Sequence, residues 1–293
     1  MLSFKINQLL EKNKSLNIGY VDSNIPHTIS YADNDKFFNI ANNNTNISYI
    51  ITSKKIAERY KKTKNLIIVD DPRGQFYETH RHFLKNNLYE IPFKPFIGNK
   101  FNKHESAKVH EGCHIGDNVC IEENVIIKNP TLIGSNVKIC SGSKIGFDGI
   151  LYEKKDDKIQ LIEHAGYVKI SNDVTIMSNA HIIRSIHLDC FTEIGCGSLI
   201  GMETTIGHEV KVLKRAIISN KCLVARRSII DNDAFLGTGS IIKEHLHVGE
   251  GSKVMAGSVV IKNVKDGERV SGNFATNHDL RLLNFFRKNE LDN

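Results

Sequence analysis

The sequence predicts a parallel β-helix preceded by a small α/β domain. Two observations carry this. The first is a six-residue beat. An aliphatic residue falls at every sixth position from Val109 to Ile145 and again, one residue out of phase, from Ile170 to Val260. A helix repeats at 3.6 residues and a strand at 2, so neither alone gives a period of six; a short strand plus a turn, repeated, does. The second is proline placement. Of the five prolines, Pro26, Pro72, Pro92 and Pro95 precede the beat, Pro130 lies between two hexads, and none follows. An ordinary N-terminal domain therefore leads into an almost proline-free solenoid.

Residues 4–14 are amphipathic. NIGYV, TISYA, ISYIIT and NLIIVDD, each rich in β-branched or aromatic residues, read as short strands. Residues 53–63 and 74–85 read as helices, and a linker holding Pro92 and Pro95 leads into the coil. The boundaries are 1–98 for the α/β domain, 99–264 for the β-helix and 265–293 for an extension. Two positions before each beat residue the side chain is usually small, as at Cys113, Thr131, Ala180 and Cys222. Both columns suit a narrow core, and three hexads make one triangular coil. Gly often follows the beat residue, as at Gly195 and Gly207, where a tight bend is expected. Residues 147–166 break the beat and read as a hairpin ejected from the coil, the kind of insertion that shapes a binding face. Beyond Val260 the chain leaves the coil, and Asn277 is placed to cap a short C-terminal helix, DLRLLNFFRKNE.

A length of 293 residues suits two domains, and 40% hydrophobic with 25% charged residues suits a soluble globular chain. No apolar run has the length of a membrane span, and MLSFKINQLLEKNKSL lacks a secretory core. The six cysteines all lie in the repeat region without a CxxC pair. Cys113 and Cys222, in the small inward column, read as buried fillers in a reducing cytoplasm. A net charge of +6 suits phosphorylated or acidic partners but is too mild to imply nucleic acid.

The solenoid accounts for every beat residue, so chemistry must come from the turns. His208 and His245 are separated by two coils plus one residue. They are expected near one corner of the prism, roughly 10 Å apart at the usual strand spacing. Solvated turn residues are the ordinary reading of both. His245 and His247 form a tight pair without a third ligand, so no metal site is expected.

Four ordered motifs change the weight of these histidines: GFDGILYE, TTIGHEVKV, KEHLHV and VSGNFA. Together they resemble the UDP-3-O-acylglucosamine N-acyltransferases of lipid A synthesis, within the hexapeptide-repeat superfamily. The N-terminal stretch ISYADNDKFF matches the same family. The resemblance implies a left-handed β-helix, a homotrimer with sites between neighbouring helices, and transfer of an acyl group to the amine of a nucleotide-linked amino sugar. The donor it implies is an acyl thioester on acyl carrier protein or coenzyme A, with no tightly bound cofactor. Carried over by position, His208 is the general base and His245 the second active-site histidine. Tyr31 and Phe37 sandwich the nucleotide base, with Asn34 beside it. Imidazole, with an ordinary pKa of about 6.5, accepts a proton near neutral pH. The family's Asp-Arg pair reads Ile183-Arg184 here, so a carboxylate is missing. O-acylation of a sugar, a non-catalytic nucleotide-sugar-binding solenoid and a metal-dependent hydratase remain as alternatives.

Overall fold

The computed structural model describes residues 4–272 except 14, 61–64 and 156. The C-terminal helix expected from Asn277 lies outside these residues. The N-terminal domain runs α1 (Phe4–Lys12), β1 (Asn17–Ile18), β2 (Thr28–Ala32), α2 (Asp35–Asn43), β3 (Ile47–Thr52), α3 (Lys54–Ala57), β4 (Asn65–Ile68) and α4 (Pro72–Lys85). The four strands form one parallel sheet in sequence order. The sequence reading misses α2 and draws α3 too long. In α2 the signal is a cap rather than a long apolar period: Asn34 accepts a hydrogen bond from the Phe37 N–H at 3.0 Å, and Asp35 sits in the positive first turn.

The coil is a left-handed parallel β-helix with three faces. The first face runs from Phe96–Ile97 to His247–Val248, the second from Asn102–Lys103 to Arg269–Val270, and the third from Lys108–Val109 to Val259–Val260. Pairing thus starts a little before residue 99 and continues past 264. Rungs generally repeat every three hexads, as in Ile206 over Val224 over Ile242. Apart from Leu188, the beat residues from Ile115 onward fill one continuous core with the small column beside them. Buried Ile and Val of this kind each contribute roughly 1.5–3 kcal/mol.

Two details differ from the sequence reading. Leu188 keeps the beat but is not a rung. The strand Tyr167–Ile170 pairs with Phe191–Ile194, four hexads on rather than three, so the extra six residues are taken up by a bulge over residues 184–190 that leaves the coil. A period in sequence does not force pairing when another apolar surface competes for the segment. The glycines after the beat residues also serve a different purpose. At Gly207 φ is not positive; a Cβ there would stand 2.9 Å from the Arg226 nitrogen of the next coil. Glycine is needed for close stacking of coils. Apart from Gly146, whose φ is +77°, the left-handed backbone of the coil falls at a different column, which includes Glu209, Arg227 and His245.

Both insertions leave the corner between the third and first faces. One is the hairpin, with Tyr152–Lys155 antiparallel to Lys158–Leu161. The other is the 184–190 bulge. Both dock on the N-terminal domain. Leu151, Ile162 and Ile186 share a core with Ile29, Ile51, Phe76 and Phe83. Arg81 pairs with Glu153 at 2.7 Å, and the buried His80 donates from Nε2 to the Glu163 carbonyl at 2.7 Å. Asp189 accepts from the Tyr20 N–H at 3.1 Å.

Burial, followed by the nearby Glu209 charge, pushes the Asp189 carboxyl up to about 6. Its folded pKa lies above the unfolded 3.8, so the folded state binds the extra proton between those values. Stability is therefore lost as pH rises from about 4 to 6, and the full cost persists above. Asp189→Asn is expected to raise stability at pH 8 by about 1–3 kcal/mol in denaturant titrations, with the gain vanishing toward pH 4.

Candidate active site

A cavity of about 370 Å³ opens at the same corner. Its walls come from three sources. The N-terminal domain supplies Tyr20, Asp22, Tyr31, Phe37, Arg73 and Tyr77; the hairpin base supplies Leu151; and the coil supplies His208, Glu209, Arg226, Arg227 and His245. The size and the mix of apolar wall with a few polar groups suit a small-molecule site.

The coil residues are stacked by the rung spacing. Glu209, Arg227 and His245 follow one another at intervals of one coil and occupy equivalent left-handed turn positions. The Arg227 N–H donates to the His208 carbonyl and the His245 N–H to the Arg226 carbonyl, both at 3.1 Å. His208 precedes Glu209, which explains the two coils plus one residue separating the histidines. His208 is buried and His245 is exposed.

Around His208 the chain builds a polar cradle. Glu209 Oε1 lies 3.7 Å from His208 Nδ1, and Arg227 Nε lies 3.3 Å from Glu209 Oε2. Arg227 in turn pairs with Asp22 of the N-terminal domain at 2.5 Å. The separation of Glu209 from His208 is too long for a hydrogen bond, so Glu209 acts on His208 through its charge. Burial pushes the Glu209 carboxyl up, but His208 and Arg227 outweigh it and hold the pKa below the ordinary value. His164 packs edge-on to His208 with ring centres 5.5 Å apart, and its Nδ1–H donates to the Arg184 carbonyl at 3.0 Å. Burial comes first in keeping His164 neutral. For His245, burial and then the charges of Arg227 and Arg226 lower the pKa.

The carboxylate missing beside Arg184 has a substitute. Arg184 pairs through Nε with Asp148 at 2.8 Å, across the base of the hairpin. Asp148 also accepts from the His164 N–H at 3.1 Å. None of these partners stands beside its mate in sequence.

Tyr31 and Phe37 both reach the cavity wall. Tyr31 is half-buried against Phe76, at 4.8 Å between ring centres, while Phe37 keeps 41% of its surface exposed. No ring contact joins the pair among the described residues. Asn34 does not reach the wall. Its carboxamide oxygen caps α2 and its Nδ2 donates to Asp33 at 2.9 Å. Sequence reasoning missed Glu209, Arg227 and Asp22. The hexad held a signal for the first two, since positions 209, 227 and 245 are spaced by whole coils. Nothing local marks Asp22. Among the described residues, no group of three His, Cys, Asp or Glu side chains is placed to hold a metal ion.

Glu209 supplies a pH-dependent contribution to folding. Its folded pKa lies below the unfolded 4.5, so its stabilisation is present above that value and lost as pH falls through the folded pKa. Glu209→Gln is expected to cost about 1–3 kcal/mol at pH 7, since it removes a buried charge paired with Arg227. The deficit should shrink below about pH 4 in chemical unfolding.

No family model matches the chain. A UDP-3-O-acylglucosamine N-acyltransferase of Rickettsia bellii is 40% identical over 90 residues, 31% of this chain and 26% of that protein. UDP-3-O-acylglucosamine N-acyltransferase 2 of Legionella pneumophila is 44% identical over 141 residues, 48% of this chain and 40% of that protein. The matched stretches thus span less than half the length of either curated relative. The solved UDP-N-acetylglucosamine acyltransferase of Campylobacter jejuni aligns over 68% of this chain and 77% of its own, at 24% identity and a TM-score of 0.55. Over the matched segments the chain is similar to UDP-3-O-acylglucosamine N-acyltransferases, and its fold is similar to that of the solved Campylobacter jejuni protein.

Proposed function

We propose that the protein moves an acyl group from an acyl thioester, on acyl carrier protein or coenzyme A, to the amine of a nucleotide-linked amino sugar. The product serves lipid A or another surface glycan. The observation that carries this reading is that one cavity holds His208, His245, Tyr31 and Phe37 together. The named relatives support the reaction class.

The chemistry follows from the geometry. The Glu209 carboxylate faces His208 Nδ1, which favours the proton there and leaves Nε2 free as the base. Nε2 takes a proton from the amine as the nitrogen attacks the thioester carbonyl. A C–N bond forms and the carbonyl oxygen becomes an oxyanion. Neutral His245 or a turn N–H donates to that oxygen. Collapse breaks the C–S bond, and the leaving thiolate takes the proton held on His208. The half-buried Tyr31 ring and the exposed Phe37 ring offer two faces for a flat base.

His208→Ala is expected to lower transfer to a UDP-linked amino sugar by about 10²–10⁴-fold in a variant whose thermal melt still reports a cooperatively folded chain. Unaltered turnover in a folded variant would sink the assignment. Mass spectrometry of the product distinguishes N- from O-acylation.

The active assembly we propose is a homotrimer. Leu223, Ile241 and Val259 form an outward apolar column on the third face, each 39–50% exposed. A larger apolar patch of this kind marks a protein contact. Light scattering should report a trimer, and Leu223→Asp with Ile241→Asp should give monomers that remain folded.

A further inference from the structure

Three arginines line the cavity, and they are not equivalent. Arg227 is committed to Asp22 and Glu209. Arg73 and Arg226 have no carboxylate partner among the described residues, and both are exposed. Arg73 stands in the first turn of α4, with its guanidinium 5.7 Å above the Tyr77 ring and one N–H directed to the Tyr152 carbonyl at 3.4 Å. Arg226 stands on the coil, and its carbonyl accepts the His245 N–H. Both also line the adjoining groove with Leu151, Tyr152 and Lys154. Two guanidinium groups without a carboxylate partner thus line one opening, one from the N-terminal domain beside Tyr77 and one from the coil beside the His245 turn.

A guanidinium presents paired N–H donors that match phosphate oxygens, and such charge-assisted contacts are the strong ones. We propose that Arg73 and Arg226 form a two-armed clamp for the diphosphate group of the nucleotide-linked substrate, one arm from each domain. The inference rests on the nucleotide-linked acceptor proposed above. The same chemistry suits the diphosphate of coenzyme A. The acceptor is favoured because Tyr31, Phe37 and Tyr77 line the cavity the arginines flank. The clamp places the diphosphate between the aromatic wall and His208, with the sugar next to the base. It also makes the substrate a further bridge between the N-terminal domain and the coil, beside the Asp22–Arg227 pair.

The test is calorimetric titration of the full chain and of Arg73→Gln, Arg226→Gln and the double variant. The probes are UDP, uridine, inorganic pyrophosphate and coenzyme A. The clamp predicts that the wild type binds UDP more tightly than uridine. Each substitution should weaken UDP about tenfold, or ~1.4 kcal/mol, and leave uridine and the thermal melt unchanged. Uridine binding with no gain for UDP would sink the clamp and keep the nucleotide reading. Pyrophosphate binding that the double variant loses, with no affinity for uridine, would keep the clamp and sink the nucleotide reading. Weakened coenzyme A with unaltered UDP would overturn the assignment to the acceptor, as would a chain that binds none of the four.

Discussion

The structure depends on one constraint: each short strand of the coil must pair in register with its counterpart one coil away. That register aligns inward Ile and Val on every face and closes the core without a partner sheet. It also aligns the turns. A side chain on a corner is carried by backbone ladders above and below it, such as Arg227 N–H to the His208 carbonyl. Rigid elements position reactive groups better than free loops do. Here the turns gain that rigidity from the ladder itself.

The candidate site adds a second constraint at one corner. Where the hairpin and the 184–190 bulge leave the coil, their apolar residues gain a counter-surface in the N-terminal domain. Burial there makes unpaired charge expensive, so the polar groups organise into a relay: Asp22, Arg227, Glu209 and His208. Within the coil Glu209 faces Arg227 and His208, and the Arg227–Asp22 pair crosses the junction. The relay holds the domains at the corner where the histidines sit. Asp189 is the exception, a buried carboxyl that accepts from Tyr20 but has no cationic partner among the described residues.

Much of this was legible from spacing. The beat gave the rungs, the number of faces and the shared corner of His208 and His245, because a strict period translates directly into height and direction along a solenoid. The hairpin was visible as a break in that period. Leu188 shows the limit: it is in phase yet outside the coil, because sequence period cannot report that the N-terminal domain competes for the segment. Asn34 shows another. A polar residue beside an aromatic pair suits base recognition, but the same carboxamide was needed to cap α2. The α2 helix itself went unread because so short a segment is too brief for a clear apolar period.

By itself the sequence determined the scaffold, which follows from short-range period, and it singled out His208 as the candidate base through a resemblance carried by short motifs. Only the tertiary structure decided the surroundings of that base. Glu209, Arg227, Asp22, Arg73 and Tyr31 converge from segments separated by up to 205 residues, as Arg227 and Asp22 are. Which segments meet depends on how two insertions bury their apolar surface against a separate domain. No pattern along the chain encodes that distance; it emerges when the surfaces pack.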